Sequence, residues 1–313
     1  MNIKSIAQKT GYSESTVSRA LNNDPRISDR TTKLIQEMAT KLNYQKDFAA
    51  MNLNHQESNI LAVIFPPEDY MNINNPFYIE IIKQASYVAA KYNYMISVIL
   101  AQNPDELGQK IDMMMAQGKV RKFIMLYNLP NDPLIGKFDR QDVNLVVIGN
   151  PLNDQVVFVD NDNYQVGRAV AQTLLQDKQQ TPVYIMSQRK WKFEMDRQRG
   201  IISYLQDHNC QLQTIEFDET SSAVTSQLKQ LGHENRPIIV SSDDLLAKLY
   251  GILNFNAEQT IISFNNSIFI QPIGQNIKSV DLHPHEMGSK AAELLFEGEF
   301  AQVKKANYVG FTI

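Results

Sequence analysis

From residue 59 onward, short unbroken apolar runs alternate with longer amphipathic stretches. The runs are "ILAVIF" (60–65), "MISVIL" (95–100), "KFIMLY" (122–127), "LVVIG" (145–149), "VVFV" (156–159), "PVYIMS" (182–187), "LQTIEF" (212–217), "PIIVS" (237–241) and "TIISF" (260–264). Runs that do not alternate in polarity suit strands buried on both faces. Apolar residues at helical spacing predict helices near 77–91, 104–117, 163–177, 194–208 and 243–255. Strands and helices in alternation make a doubly wound parallel sheet. Roughly ten strands over ~255 residues are many for one sheet, so two similar α/β lobes are expected. "ANYVGFTI" (306–313) reads as a final strand.

The first 57 residues follow a different rhythm of short helices and polar turns. "NIKSIAQKTG" places Ile3, Ile6 and Ala7 on one face and stops at Gly11. Ser13 stands as an N-cap before "SESTVSRALN", whose apolar side is Val17, Ala20 and Leu21. A third helix, in "SDRTTKLIQEMATKLNY", is capped by Ser28 and carries Leu34, Ile35, Met38, Ala39 and Leu42 at helical spacing. Residues 45–58 are polar with an apolar island and read as a linker able to form a turn or two of helix. The expected organisation is an all-α helix-turn-helix head (1–45), a hinge (46–58) and a two-lobed α/β body (59–313).

Composition and charge refine this picture. The chain has 313 residues, 43% hydrophobic and 20% charged, as in ordinary globular proteins. No run of about 18 apolar residues occurs, so no membrane span is expected. The polar N-terminus lacks the apolar core of a secretory signal, and one cysteine, Cys210, suits a reducing compartment. A cytoplasmic, nucleoid-associated protein is therefore expected. The net charge of −4 divides unevenly. Residues 1–57 hold eight Lys and Arg against six Asp and Glu, which leaves −6 on the remainder. A basic head on an acidic body points towards a polyanion partner.

Two short helices joined by a Gly-containing turn, with a third across them, describe a helix-turn-helix whose second helix enters the DNA major groove. The groove side of such a helix must be small, polar and able to bond base edges, while its back docks on the first helix. Glu14, Ser15, Ser18 and Arg19 form the front. Ser13, Thr16 and Asn22 flank it within reach of phosphates. Arg19 is the expected bidentate donor to a guanine. Glu14 either accepts from cytosine N4 or stabilises the first helical turn through the macrodipole.

The body offers no catalytic pattern. The histidines His55, His208, His233, His283 and His285 form no metal-ligand spacing, and no G-x-S-x-G, G-x-G-x-x-G or P-loop occurs. His283-Pro284-His285 reads as an extended turn. No enzyme activity, metal or cofactor is expected. A receptor for a small polar molecule predicts aromatic rings and polar groups at strand-to-helix loops. Such loops present Asn75, Phe77 and Tyr78, then Asp160 and Asn161, Trp191 and Arg197, Asp243 and Asp244, and Asn265. Alternatively, Arg197 caps a helix, Asp244 is an N-cap after "VSS", and Trp191, in a segment too polar for core, packs in a lid.

The stretch "IKSIAQKTGYSESTVSRALNNDPRISDRTTKLIQEMATKLNYQ" resembles the DNA-binding head of the lactose/galactose repressor family of bacterial transcription regulators, most specifically through "STVSRALN". The α/β pattern from residue 59 fits that family's body, so the resemblance covers essentially the whole chain. It implies a homodimer on a palindromic double-stranded DNA operator, with a sugar- or nucleotide-sensing body built like periplasmic binding proteins. "FAAMNLNHQ" resembles the family's hinge, which places Leu53 as a minor-groove wedge. A linker leucine packed on the body is the alternative. Met51-Asn52 stands where an Arg-Ser pair is frequent, so one cation of the usual hinge is missing. By motif, Phe77 matches the ring of N-P-F, Arg197 opens R-x-x-G in "RQRG", and Asp244 opens D-x-x-A in "DLLA". Asn265 replaces a usual Asp and gives both a donor and an acceptor, which suits a neutral polyol.

"SFNNSIF" and "SVDLHPHEMGSKAAELL" are most similar to maltose-operon repressors within the family, implying maltose or a maltodextrin as effector. No leucine heptad follows "ANYVGFTI", which favours a dimer over a tetramer. The rival is a carbon-catabolite regulator of the same family controlled by a phosphorylated carrier protein. That regulator would need a basic patch on the first lobe, where "KQASYVAAKYNY" supplies only Lys83 and Lys91.

Overall fold

The structure, a computed structural model, describes residues 2–21, 23–44, 57–70, 75–129, 132–140, 142–175, 180–253, 259–268, 270 and 277–313. The chain divides into two compact units, Met1–Glu57 and Ser58–Ile313.

The smaller unit holds three helices, α1 (Ile3–Thr10), α2 (Glu14–Leu21) and α3 (Asp29–Lys41). Asn2 caps α1 by accepting from the Ser5 amide, and Gly11 ends it in the left-handed region at φ 75°. The Ser13 hydroxyl accepts from the Thr16 amide at 3.2 Å, and the Ser28 hydroxyl accepts from that of Thr31 at 3.3 Å. Ile6, Ala7, Val17, Ala20, Ile35 and Ala39 close into a private core, with Leu21, Met38 and Leu42 packed at its margin. Helices of eight to thirteen residues are marginal alone, so this shared core is what holds them.

The larger unit has two parallel sheets. The first runs β11-β5-β4-β3-β1-β2 and the second β10-β9-β8-β6-β7. Their strands are β1 (Ile60–Ile64), β2 (Met95–Ile99), β3 (Lys122–Met125), β4 (Asn144–Ile148), β5 (Val157–Asn161), β6 (Val183–Ser187), β7 (Gln213–Phe217), β8 (Ile238–Val240), β9 (Ile261–Phe264), β10 (Ile277–Val280) and β11 (Ala306–Val309). Helices α4 (Pro76–Lys91), α5 (Pro104–Ala116) and α10 (Pro284–Phe296) belong to the first lobe. The second lobe carries α6 (Asn163–Leu175), α7 (Lys192–Asp207), α8 (Ser222–Leu231) and α9 (Asp243–Leu253). Each sheet is covered on both faces, and each lobe accordingly has two apolar clusters. Two lobes are present as expected, but they interleave: the chain leaves the first lobe after β5 and returns through α10 to add β11 beside β5, with Ala306 opposite Phe158.

His283-Pro284-His285 is not an extended turn. Pro284 occupies the first turn of α10 after a left-handed His283 at φ 53°, the position where its missing N–H costs nothing. Helices α8 and α10 and strand β10 are additional to the elements read from the sequence. Among the described residues no helix is long and apolar enough to cross a membrane.

Candidate functional site

On the head, α2 buries Val17 and Ala20 completely and half-buries Leu21. Its other side is open: Glu14, Ser15 and Arg19 are exposed and Ser18 is half-buried. Ser13 bonds both the Ser15 hydroxyl at 2.9 Å and the Thr16 hydroxyl at 2.8 Å, forming a polar cluster at the helix N-terminus. Among the described residues Arg19 makes no ion pair, whereas Arg26 is held by Asp24 at 2.6 Å. The hydrogen bonds from Arg26 keep the Asp24 carboxyl well below the usual range. Arg19 is therefore a free fork on the open face, the form bidentate base contacts require. Asn22 and Leu53 lie outside the described residues, as does nearly all of the segment read as a hinge.

In the body, the C-terminal ends of the strands face a cavity of about 570 Å³. In both sheets strand order reverses beside the first strand of the lobe, at β1/β3 and at β6/β8, and ligands of open α/β sheets sit at such points. Nine of the ten loop residues singled out in the sequence line it: Asn75, Phe77, Tyr78, Asp160, Asn161, Trp191, Arg197, Asp244 and Asn265; Asp243 does not. The first five come from one lobe and the last four from the other.

Each is placed by a local device. The Asn75 side chain caps α4 by accepting from the Phe77 amide at 3.0 Å, which sets Phe77 and Tyr78 at the helix mouth. Phe77 and Tyr78 meet edge to face with centroids 6.3 Å apart. Asn265 has φ 101°, a left-handed turn after β9. Asp244 is not the cap of α9. The Ser242 hydroxyl fills that role by accepting from the Leu245 amide at 3.1 Å, leaving Asp244 in the cleft 3.7 Å from Lys248. Asp243 points the other way, accepting from Ser263, Ser267 and Ser279 beneath the Asn265 turn.

Arg197 is 4% exposed and caps no helix end. Its Nε donates to Asn163 Oδ1 at 2.9 Å and its Nη1 to the Ser241 carbonyl at 3.1 Å. The guanidinium lies 4.9 Å from the Phe193 ring centroid and 4.3 Å from that of Phe264. Its Nη2 has no partner among the described residues, so a clamped cation presents spare donors to the cavity. Trp191 is 7% exposed despite its polar neighbours. It stacks 6.4 Å from Phe193 at an interplanar angle of 8°, beneath Arg189. Buried Glu194 ties this floor together, accepting from the amides of Ser187 and Trp191 and the hydroxyls of Ser187 and Ser241.

Burial pushes the Asp160 carboxyl up to about 6, against the opposing pull of the Asn161 and Asn150 amides, Arg197 and the Asn163 side chain. Its folded-state value therefore exceeds the ordinary 3.8, so its stabilising contribution is full below 3.8 and is lost as pH rises through 6. The stability advantage of the parent over Asp160→Asn is expected to shrink by about 1 kcal/mol between about pH 5 and pH 8. Urea denaturation of both proteins at the two pH values measures it, and a pH-independent difference would remove Asp160 as the titrating group.

The cavity also takes residues that the sequence reading passed over, among them Tyr127 and Asn128 after β3, Phe217 at the end of β7 and Asp218 beyond it. The strand-end rule applies to them equally and would have found them. Glu194 carried no comparable signal. Among the described residues no cluster of three or more His, Cys, Asp or Glu could hold a metal.

A family model described as "Bacterial regulatory proteins, lacI family" matches residues 2–47, and one described as "Periplasmic binding proteins and sugar binding domain of LacI family" matches residues 60–246. HTH-type transcriptional regulator MalR of Staphylococcus xylosus is 25% identical over 302 residues, covering 94% of this chain and 90% of its own. The structure of a lac repressor dimer bound to operator and the anti-inducer ONPF superposes with a TM-score of 0.78 at 14% identity, covering 100% of this chain and 97% of that one. A transcriptional regulator CelR–cellobiose complex superposes at 0.69 with 18% identity, covering 100% and 98%. Two helical and α/β units in this order are thus a shared architecture.

Proposed function

The chain belongs to the lacI family of bacterial regulatory proteins, DNA-binding transcriptional repressors with a sugar-binding domain, and from that premise we propose a repressor whose operator affinity is set by maltose or a short maltodextrin. The matched relatives are regulators and not enzymes. The observation that carries the effector reading is the convergence of Phe77, Tyr78, Trp191 and Phe193 with Asp160, Arg197, Asp244 and Asn265 on one inter-lobe cavity. Rings stack on sugar faces while the polar groups bond hydroxyls. Its volume of about 570 Å³ lies within the range of small-molecule pockets, ~300–1,000 Å³. Likeness to the regulator MalR supports maltose over other sugars.

The mechanism has three parts. Residues 1–45 read DNA, with Glu14, Ser15, Ser18 and Arg19 at base edges and Ser13, Thr16 and Asn22 at phosphates. Residues 46–58 form a hinge in which Leu53 wedges the minor groove of a palindromic operator held by a cytoplasmic homodimer. The body, 59–313, closes its lobes around the sugar and alters the hinge or the spacing of the heads. Linkage then requires the sugar to weaken operator binding by the factor by which operator weakens sugar binding.

Two measurements test this. Isothermal titration of the full chain is expected to give saturable heat with maltose and maltotriose and none with lactose; lactose binding alone would overturn the assignment. An Arg19→Ala protein is expected to bind operator about 30-fold more weakly, roughly the 2 kcal/mol of one lost bidentate base contact. Anisotropy at fixed salt reads this, and unchanged affinity would take Arg19 off the bases.

A further inference from the structure

A second cavity, of about 450 Å³, adjoins the effector cleft, and Trp191 and Arg189 line both. Its walls again come from both lobes. Leu129 and Leu152 follow β3 and β4 of the first, while Lys190 precedes α7 of the second and Lys192, Met195 and Arg199 lie in its first half.

Three observations distinguish it from a passive crevice. The first is charge. Arg189, Lys190, Lys192 and Arg199 line it against a single acid, Asp196. Lys192 and Arg199 share Asp196, and Lys190 reaches Glu216 at 2.7 Å. Arg189 meets no carboxylate among the described residues; its Nη2 donates to the Asp69 carbonyl at 2.9 Å. Four cations therefore face two carboxylates. The second is an apolar rim: Leu152 is 56% exposed and Met195 43%. The third is backbone conformation. Leu152 has φ 55° and Lys190 φ 53°, one left-handed residue from each lobe. That region is unfavourable for a bulky side chain, and such outliers gather at ligand clamps.

We propose that this cavity is a second ligand site, taking a small molecule with a phosphate or carboxylate on an apolar body, whose occupancy reaches the effector cleft through the shared wall of Trp191. The anion gives the cations that now share Asp196 a further charge-assisted partner, and the apolar body covers Leu152 and Met195. Because the site spans both lobes, its occupant favours one lobe arrangement over another and so couples to the effector.

Trp191 is the only tryptophan in the chain, so intrinsic fluorescence of the full-length protein reports this wall directly. The titrants are phenyl phosphate, benzoate and inorganic phosphate, with benzyl alcohol as the uncharged analogue, at ionic strength held constant with chloride. Phenyl phosphate or benzoate is expected to give a saturable change, with inorganic phosphate and benzyl alcohol each weaker by roughly tenfold. Whichever of the two titrants is the tighter identifies the anion. Lys190 and Arg199 are 49% and 64% exposed, so a Lys190→Ala, Arg199→Ala double variant keeps the fold. It is expected to lose at least about tenfold in affinity for the anion. Equal affinity in the double variant, or no saturable change with any anion, overturns the proposal. Maltose enters none of these titrations, so failure of the sugar assignment would leave this result standing.

Discussion

An Arg197→Met protein is expected to hold its operator as tightly as the parent and to stay on it at saturating sugar. Methionine keeps most of the length and apolar stem of Arg197 but donates nothing. Asn163 Oδ1 and the Ser241 carbonyl lose their donors, and the fork aimed at the cavity disappears. Asp160, already held up by burial, loses the positive neighbour that opposes it. A buried charge contact of this kind is worth about 3 kcal/mol, so effector affinity should fall by roughly 100-fold or more. The head has its own core of Ile6, Val17, Ala20 and Ile35, which the substitution does not touch. Titration calorimetry reads the sugar and anisotropy reads the operator. Arg197→Lys keeps the charge without the planar fork and should recover only part of the affinity. Normal release of Arg197→Met from operator by sugar would show that the guanidinium is not part of the binding machinery.

Gly200→Ala is expected to cost about 3 kcal/mol of stability in the body. Helices α6 and α7 cross backbone to backbone. A Cβ on Gly200 would stand 2.0 Å from the Tyr164 carbonyl oxygen and 3.0 Å from the Arg168 nitrogen. Across the same crossing, a Cβ on Gly167 would stand 2.1 Å from the Arg197 carbonyl oxygen. The obstacle in each case is main chain, which no rotamer change can move aside, so the helices must separate. Separation pulls Asn163 on α6 away from Arg197 on α7, which links this packing to the cleft. Urea denaturation followed by Trp191 fluorescence measures the loss, and the effector affinity should fall with it. Gly251→Ala is the matched control. It lies inside α9 with nothing within 4 Å of the added methyl, and should stabilise by about 0.5–1 kcal/mol. Equal effects at the two positions would mean that the α6–α7 crossing is looser than described.

Much of this architecture is written locally, and that part was legible. The caps at Ser13 and Ser28, the stop at Gly11 and the apolar back of α2 depend on neighbours within four residues. Strands buried on both faces announce themselves as apolar runs, and the rule that ligands sit at strand ends gathers nine of ten named residues into one cavity. What was illegible depends on distant partners. Nothing near residue 306 says that β11 will lie beside β5, so the interleaving of the lobes was hidden. Helix α10 escaped notice because Gly288, Ala291 and Ala292 interrupt the large apolar residues Met287, Leu294 and Leu295 on its buried face, with Gly288 pressed against the Ile81 carbonyl. Trp191 looked too polar in context to be buried, because its neighbours Arg189, Lys190 and Lys192 mask the stacking on Phe193. Glu194 reads as an ordinary helical glutamate until its four hydrogen bonds are seen.

The measurement that tests the central claim most directly is anisotropy of a labelled operator taken from beside the protein's own gene. It would be titrated at fixed salt, with maltose, maltotriose, glucose and lactose added in turn. Release by maltose or maltotriose alone, lost in Arg197→Met, is the predicted result. Tight binding that persists through every sugar would contradict it, and would shift attention to a phosphorylated carrier protein as the controlling partner.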